Sequence, residues 1–367
     1  MLNREGQRFD VVALAAGENL ELLSRQIQEF RPRWVSIRHE RDIDKLRSLL
    51  GTAGDIELRA GLEGTKELIV ESGADLLVNA LVGAVGLIPT LTAMEAGIDV
   101  ALANKESLVI GGHLVKRAQA KSGAKIIPID SEHNAIFQLL EGRSRSKIAR
   151  ILLTASGGAL RDWPLDRLNS VTPEDLLKHP TWQMGPRITV DSATLVNKAF
   201  EVIEAHWLFE FPFESIEVVI HPQSIIHGMI ELTDGSLIAH LSPPDMRGPI
   251  QYALCYPERP MQRFFEWDWT DTLKLEFSPL DRARYPAFEV VVEAGRRGGT
   301  LPAVANAADE VLVERFLSGE IEFTAIARGL EEVLAAHEPV EDPDLEEVLA
   351  ADRWARAKAK SHGAKAA

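Results

Sequence analysis

Short apolar runs recur along the first third of the chain: VVALAA (11–16), WVSI (34–37), LLVNALV (76–82), VALAN (100–104) and KIIPID (125–130). Longer amphipathic stretches such as Glu18 to Phe30 and Ser107 to Ser122 lie between them. Four to seven apolar residues between helical patterns are what a parallel sheet covered on both faces requires. The pattern predicts a doubly wound, Rossmann-like α/β domain over 1–128. A dinucleotide-binding sheet normally opens with a strand, a glycine-rich turn and a helix, yet Arg8 leads straight into what reads as a second strand, and no G-x-G-x-x-G lies nearby. The expectation is that the first strand and its turn are missing, and that a longer native chain carries them upstream. NADPH then binds poorly to the chain as given.

The pattern changes after residue 128. RILLTAS (150–156), VVIHP (218–222), SIIHGMIEL (224–232) and SLIAHLS (236–242) read as strands, and Asp234-Gly235 between the last two is a hairpin signal. This predicts an α+β domain over 129–262. A Trp-, Asp- and Pro-rich stretch with weak periodicity follows and reads as a linker over 263–290. Helical spacing in Ala303 to Ala336 and Asp344 to Ala357 predicts a C-terminal helical domain over 291–367.

Charge and composition narrow the function. The 367 residues carry a formal net charge of −15, which argues against a broad nucleic-acid or anionic-membrane surface and confines any phosphate site to a local pocket. Cys255 is the single cysteine, so there is no intrachain disulfide and no cysteine zinc site, as suits a reducing cytoplasm. The most apolar stretch, Leu76 to Ala93, is interrupted by Asn79, Gly83, Gly86 and Pro89, and reads as strand, loop and helix rather than a membrane span.

Candidate chemistry gathers in two segments. In PIDSEHNAIFQ (128–138), Asp130 and Glu132 stand two apart at the end of an apolar run. They are either two carboxylates converging on a hard cation at a strand end, or a helix N-cap with a first-turn acid. In HPTWQMGPRITVDSATLVNKAFEVIEAHW (179–207), ITV reads as a strand, Asp191 or Ser192 as a helix start, and Asn197 and Glu201 share a face beside Lys198. Lys198 and Glu201 form either a solvated surface pair or part of a site. In the second case Glu201 completes an all-oxygen set with Asp130 and Glu132, which suits Mg²⁺ or Mn²⁺, and Ser192, Asn197 and Lys198 face a phosphate. The Thr-Ala-Ser-Gly-Gly turn at 154–158 either approaches an anion or is an ordinary turn. His179 and Trp182 lie on a loop that reads as a lid or as core packing. His221, His227 and His240 sit in strand patterns and read as structural.

NKESLV (104–109), PIDSEHNAIFQ, LTASGG (153–158), the 179–209 segment, HPQSIIHGMIELTDGS (221–236) and PDMRGPIQYAL (244–254), in that order, resemble the 1-deoxy-D-xylulose 5-phosphate reductoisomerase family. The resemblance implies an NADPH- and divalent-cation-dependent homodimer (Mg²⁺, Mn²⁺ or Co²⁺). It would rearrange and reduce that sugar phosphate to 2-C-methyl-D-erythritol 4-phosphate for isoprenoid precursors. An alternative is a silent chain that keeps only metal and sugar-phosphate binding. By motif, Asp130, Glu132 and Glu201 resemble the metal ligands. Ser131, Ser156, His179, Ser192, Asn197 and Lys198 resemble substrate and phosphate contacts, Lys105 the active-site lysine, and Trp182 the lid indole. Asn104, Glu106 and Gly185 resemble positions near the nicotinamide. Gly17, Glu18 and Asn19 resemble the turn at the adenosine end, with Glu18 where a basic or polar residue is frequent.

Overall fold

The computed structural model describes residues 9–51, 56–176, 185–259, 263, 265–270 and 272–361. Its N-terminal part alternates strand and helix, as the apolar runs require. These elements are β1 (Ala13–Ala16), α1 (Leu20–Phe30), β2 (Trp34–Ile37), α2 (Ile43–Leu50), β3 (Glu57–Ala60), α3 (Gly61–Glu71), β4 (Leu76–Asn79), α4 (Leu87–Glu95), β5 (Asp99–Leu102), α5 (Glu106–Ser122) and β6 (Ile126–Pro128). All the strand pairings are parallel, in two three-stranded sheets ordered β1-β2-β3 and β4-β5-β6. The central strand β2 is buried throughout, and a small separate core of Leu20, Leu23, Ile27, Val35, Ile37 and Leu46 packs α1 and α2 on it.

The central part comprises α6 (Ser131–Leu140), β7 (Ile148–Ala155), α7 (Pro173–Leu176), α8 (Pro186–Thr194), α9 (Val196–Phe209), β8 (Ile216–Ile220), β9 (Ile226–Leu232), β10 (Leu237–Leu241), α10 (Arg247–Cys255) and β11 (Ser278–Pro279). Its five strands run in the order β10-β9-β7-β8-β11, with only β7 and β8 parallel among the described pairs. Asp234-Gly235 makes the β9–β10 turn as expected, with Gly235 at φ 84°. The stretch expected as a linker supplies β11 to this sheet, and a helix begins within it at Pro286. The helical part is α11 (Pro286–Arg297), α12 (Leu301–Leu317), α13 (Ala325–Ala335) and α14 (Leu345–Lys360). α12 is buried on nearly every face and joins the large core that runs from α4 and α5 through α9 to α14.

One local expectation is wrong. Ile188, Thr189 and Val190 are not a strand but the middle of α8, and Ser192 lies near that helix's end rather than at the start of one. Pro186 at the first helical position presets the backbone. Burial of Thr189 and Val190 against neighbouring helices then outweighs the weak helix propensity of a β-branched run. The break comes at Leu195, which adopts φ 57° between α8 and α9; the Val196 amide donates to Thr194 Oγ1 at 3.3 Å, and the Asn197 and Lys198 amides stand in the first turn of α9.

Candidate active site

Open parallel sheets present ligand sites beyond the C-terminal ends of their strands. Lys105 lies three residues past β5, and Asp130 two residues past β6, where its side chain caps α6 by accepting from the Glu132 amide. The helix-cap reading therefore holds, with Asp130 the N-cap and Glu132 the first-turn acid of α6. α9 brings Asn197, Lys198 and Glu201 to the same place, the end of β7 brings Ser156, and α8 brings Ser192. Together with Ser131 they line one cavity of about 310 Å³.

One oxygen each of Asp130, Glu132 and Glu201 lies within 4.8 Å of the others. Two lysines are threaded between them. Lys105 Nζ is 2.8 Å from Asp130 Oδ2 and 3.4 Å from Glu201 Oε1, and Lys198 Nζ is 2.8 Å from Glu132 Oε1 and 2.5 Å from Glu201 Oε2. Asn197 orients both sides, donating to Glu201 Oε1 at 2.7 Å and accepting from Lys105 Nζ at 2.8 Å. Burial disfavours every charge here, but for the lysines the facing carboxylates win and raise both pKa values. Lys105 and His133 likewise overcome burial at Asp130 and hold it well below the usual carboxylate range, whereas burial and Glu132 push Glu201 up. The Lys198–Glu201 pair is therefore buried, not a solvated surface pair.

A layer beneath supports the three carboxylates. Fully buried His133 stands 3.2 Å from Asp130 Oδ1 and 3.4 Å from Glu204 Oε2 through Nδ1, and its Nε2 donates to the Glu201 carbonyl at 2.9 Å. Burial pulls the His133 pKa down, but Glu204 and Asp130 raise it to about 9, while burial lifts Glu204 to about 7. Neither residue's part was anticipated, although His133 lies three residues from Asp130, one helical turn on. The Gly-Gly turn has a use the sequence reading did not consider. Gly158 sits at φ 68°, and a Cβ there would come within 2.5 Å of the Ser192 carbonyl, so the turn packs on α8 and brings Ser156 beside Ser192.

Models of the 1-deoxy-D-xylulose 5-phosphate reductoisomerase match residues 1–112, and models of its C-terminal domains match 126–209 and 241–358. The reductoisomerase of Chlorobaculum tepidum is 50% identical over 98% of this chain and 94% of its own length. That of a Synechococcus strain is 50% identical over 95% and 90%. The chain belongs to this reductoisomerase family. The solved reductoisomerase of Zymomonas mobilis in complex with NADPH superposes with a TM-score of 0.91 at 38% identity, over 98% of this chain and 93% of that one. A second reductoisomerase, in complex with NADPH, fosmidomycin and magnesium, gives 0.89 at 34%, over 98% and 94%.

In this reductoisomerase-family chain the positions expected near a cofactor, Gly185 apart, follow strand ends. Gly17, Glu18 and Asn19 follow β1. Asn19 caps α1, accepting from the Leu22 amide at 3.0 Å, and Glu18 pairs with Arg38 past β2 at 3.0 Å, which offsets its charge. Asn104 is buried and braces the turn after β4, donating to Leu81 O at 2.7 Å and Gly83 O at 3.0 Å, while Glu106 accepts from Gly83 N at 3.0 Å. Gly185 is the exposed N-cap of α8. His179 and Trp182 lie outside the described residues. Ser224, His227 and Met246 also line the cavity, unanticipated. His227 reads as a strand residue until the end of β9 turns out to border the pocket. His221 is structural, with Nδ1 donating to Glu276 O at 2.9 Å and Nε2 accepting from Ile225 N and Ile226 N.

Proposed function

We propose that this chain catalyses the NADPH-dependent rearrangement and reduction of 1-deoxy-D-xylulose 5-phosphate to 2-C-methyl-D-erythritol 4-phosphate, with Asp130, Glu132 and Glu201 holding a divalent cation. The observation that carries this reading is the convergence of three carboxylates and two lysines at the ends of β5 and β6, within a member of the reductoisomerase family. The donor set fits a hard cation: three carboxylate oxygens are gathered around a point whose negative charge Lys105 and Lys198 now compensate, with His133 behind Asp130. Held by Asp130, Glu132 and Glu201, such a cation (Mg²⁺, Mn²⁺ or Co²⁺) would supply Lewis-acid polarisation of the ketose carbonyl and counter-charge for carbon–carbon cleavage. NADPH supplies the hydride.

The chain's own residues do the rest. Once the carboxylates have a cation for counter-charge, Lys105 and Lys198 are free to face substrate oxygens. Lys105, between Asp130 and Asn197, presents an N–H to the reacting oxygens and moves a proton there. Lys198, Asn197, Ser192 and Ser156 surround the phosphate, with the first-turn amides of α9 adding donors. Ser131 and Glu132 border the sugar, as do His179 and Trp182 by motif. For the cofactor, Gly17 to Asn19 lie at the adenosine end, with Arg38 offsetting Glu18, and Asn104, Glu106 and Gly185 at the nicotinamide end.

The active species is a homodimer. Edge strand β10 leaves Leu237 exposed, and Phe265 and Trp269 lie exposed beside a cavity of about 730 Å³ that β10 also lines, an apolar surface a second copy would cover. No helix among the described residues is long and apolar enough to cross a membrane. The single cysteine suits the cytoplasm.

The test follows NADPH absorbance as the chain meets 1-deoxy-D-xylulose 5-phosphate with and without Mn²⁺. Oxidation that needs both substrate and metal is expected. Binding of metal and substrate without oxidation contradicts the reading.

A further inference from the structure

α8 carries Ser192 to the pocket and is anchored from its other side. Arg187, in its first turn, faces four carboxylates: Glu310 Oε1 at 3.1 Å, Asp191 Oδ2 at 3.6 Å, Glu106 Oε1 at 3.7 Å and Asp309 Oδ2 at 4.0 Å. They come from three parts of the chain, since Glu106 follows Lys105 at the start of α5 and Asp309 and Glu310 belong to α12. Glu310 is also paired with Arg356 of α14 at 2.7 Å, which Asp352 holds in turn, and accepts from Asn306 Nδ2 at 3.2 Å. The turn after β4 presses on the same cluster, because a Cβ on Gly83 would lie 2.9 Å from Glu310 Oε1.

Among the described residues the cluster is short of positive charge and of donors. Two guanidiniums stand against Glu106, Asp191, Asp309, Glu310 and Asp352, with Lys105 the further cation acting on Asp191. Asp191 and Asp309 are buried, at 5% and 0% exposure, and their carboxyl groups are in hydrogen-bond contact. Among the described residues no N–H or hydroxyl donates to Asp191 Oδ1 or to either oxygen of Asp309. Two buried carboxyl groups in contact, with no donor between them, do not both ionise.

We propose that Asp191 and Asp309 share one proton and, with Arg187, form a latch that fixes α8 on the C-terminal helices, which makes Asp309 a positioning residue for the phosphate end of the pocket. The route is short. α8 ends in Ser192 to Thr194 and turns at Leu195 directly into Asn197 and Lys198, while Gly158 is packed on the Ser192 carbonyl. A shift of α8 therefore moves Ser192, Ser156, Asn197 and Lys198 together. Loss of the shared proton sets two like charges against each other in a buried site and pushes α8 from α12. Burial raises both carboxyl groups, Asp191 to about 7 and Asp309 further, so the shared proton stays longest on Asp309 and is lost above about 7.

The latch rests on the proposed reaction for one of its two tests and is independent of it in the other. In Asp309→Asn an amide N–H takes the place of the shared proton at every pH. Between about pH 6.5 and pH 9, KM for 1-deoxy-D-xylulose 5-phosphate should rise about fivefold more in the parent than in Asp309→Asn, with kcat moving less than KM. Titrations of the substrate and the other pocket groups are common to both proteins and cancel in the comparison. Equal pH profiles overturn the proposal. The second test is thermal unfolding of the full chain without substrate. A carboxyl held protonated by the fold gives stability that is present at low pH and is lost as pH rises from the ordinary carboxyl range through about 7 and beyond. The parent should therefore lose more of its unfolding midpoint than Asp309→Asn between about pH 5 and pH 8, and equal losses overturn the latch. If the parent turns over no substrate, the proposed reaction fails and the unfolding comparison still decides the latch.

Discussion

Two buried ionic clusters flank α8, and they balance charge differently. In the pocket, Asp130, Glu132 and Glu201 each lie within ion-pair distance of a lysine, and Asn197 ties the two halves together. On the other side, Asp191 and Asp309 have oxygens that no donor reaches among the described residues, and Arg187 holds its carboxylates at 3.1 to 4.0 Å. A lysine ammonium is a compact charge on a flexible stem and gives way to a cation of higher charge, so the first cluster suits an exchangeable ligand. A shared proton and a multiply held guanidinium have no such replacement. The second cluster suits holding position. Carboxylates facing a cavity mark chemistry, and carboxylates wedged between helices mark alignment.

The sharpest way to break this comparison is Glu201→Gln, which keeps shape and removes the charge on which both lysines converge. Turnover at fixed metal should fall by about a hundredfold or more, and the upward shift of the unfolding midpoint caused by Mn²⁺ in the parent should shrink. A parental midpoint shift would move the cation elsewhere. Lys198→Ala comes next. It should weaken substrate binding by on the order of 2–5 kcal/mol, because a buried dianion is left underpaired, and an unchanged KM would remove Lys198 from the phosphate site. Gly158→Ala probes the wall between the clusters. Its methyl would meet the Ser192 carbonyl in a backbone conformation that L side chains disfavour, at a cost of about 1–3 kcal/mol in urea unfolding, with KM for the sugar phosphate raised. A fully parental Gly158→Ala protein would mean that α8 is not held by that turn.

The smallest effect belongs to a group outside both clusters. Burial first, then His227 and Arg259, lower the His240 pKa to about 4, and no partner reaches its Nδ1 among the described residues. Neutral in the fold and protonated when unfolded, it gives stability that is present above about pH 6.5 and is lost as pH falls toward 4. His240→Gln should lose about 1–3 kcal/mol less than the parent when urea unfolding is repeated at acid pH. An equal loss would show that acid unfolding is governed elsewhere.

Much of this was legible in the chain. Apolar runs located β1, β2, β4, β5 and β6 but not β3, where only Leu58 and Ala60 are apolar, and Asp234-Gly235 located the hairpin. The spacing within each segment marked Asp130 with Glu132, and Asn197 and Lys198 with Glu201, as candidates, while their meeting was implied by the family resemblance. Ser192 was placed in the pocket for the wrong local reason, since Ile188 to Val190 alternate like a strand while their neighbours make them a helix. His133, Glu204 and Asp309 were not legible. Each sits in a helix that carries other polar residues, so the sequence does not single it out, and only packing against another helix shows what it faces. Ser224 and His227 stayed hidden because a strand pattern does not say which strand end borders a cavity.

The most direct test of the central claim is anomalous diffraction from crystals of the full chain grown with Mn²⁺. The expected result is one strong peak bound by Asp130, Glu132 and Glu201, with the Lys105 and Lys198 ammoniums displaced from those carboxylates toward the cavity. A lysine-paired carboxylate trio, with manganese bound elsewhere or nowhere, would contradict it.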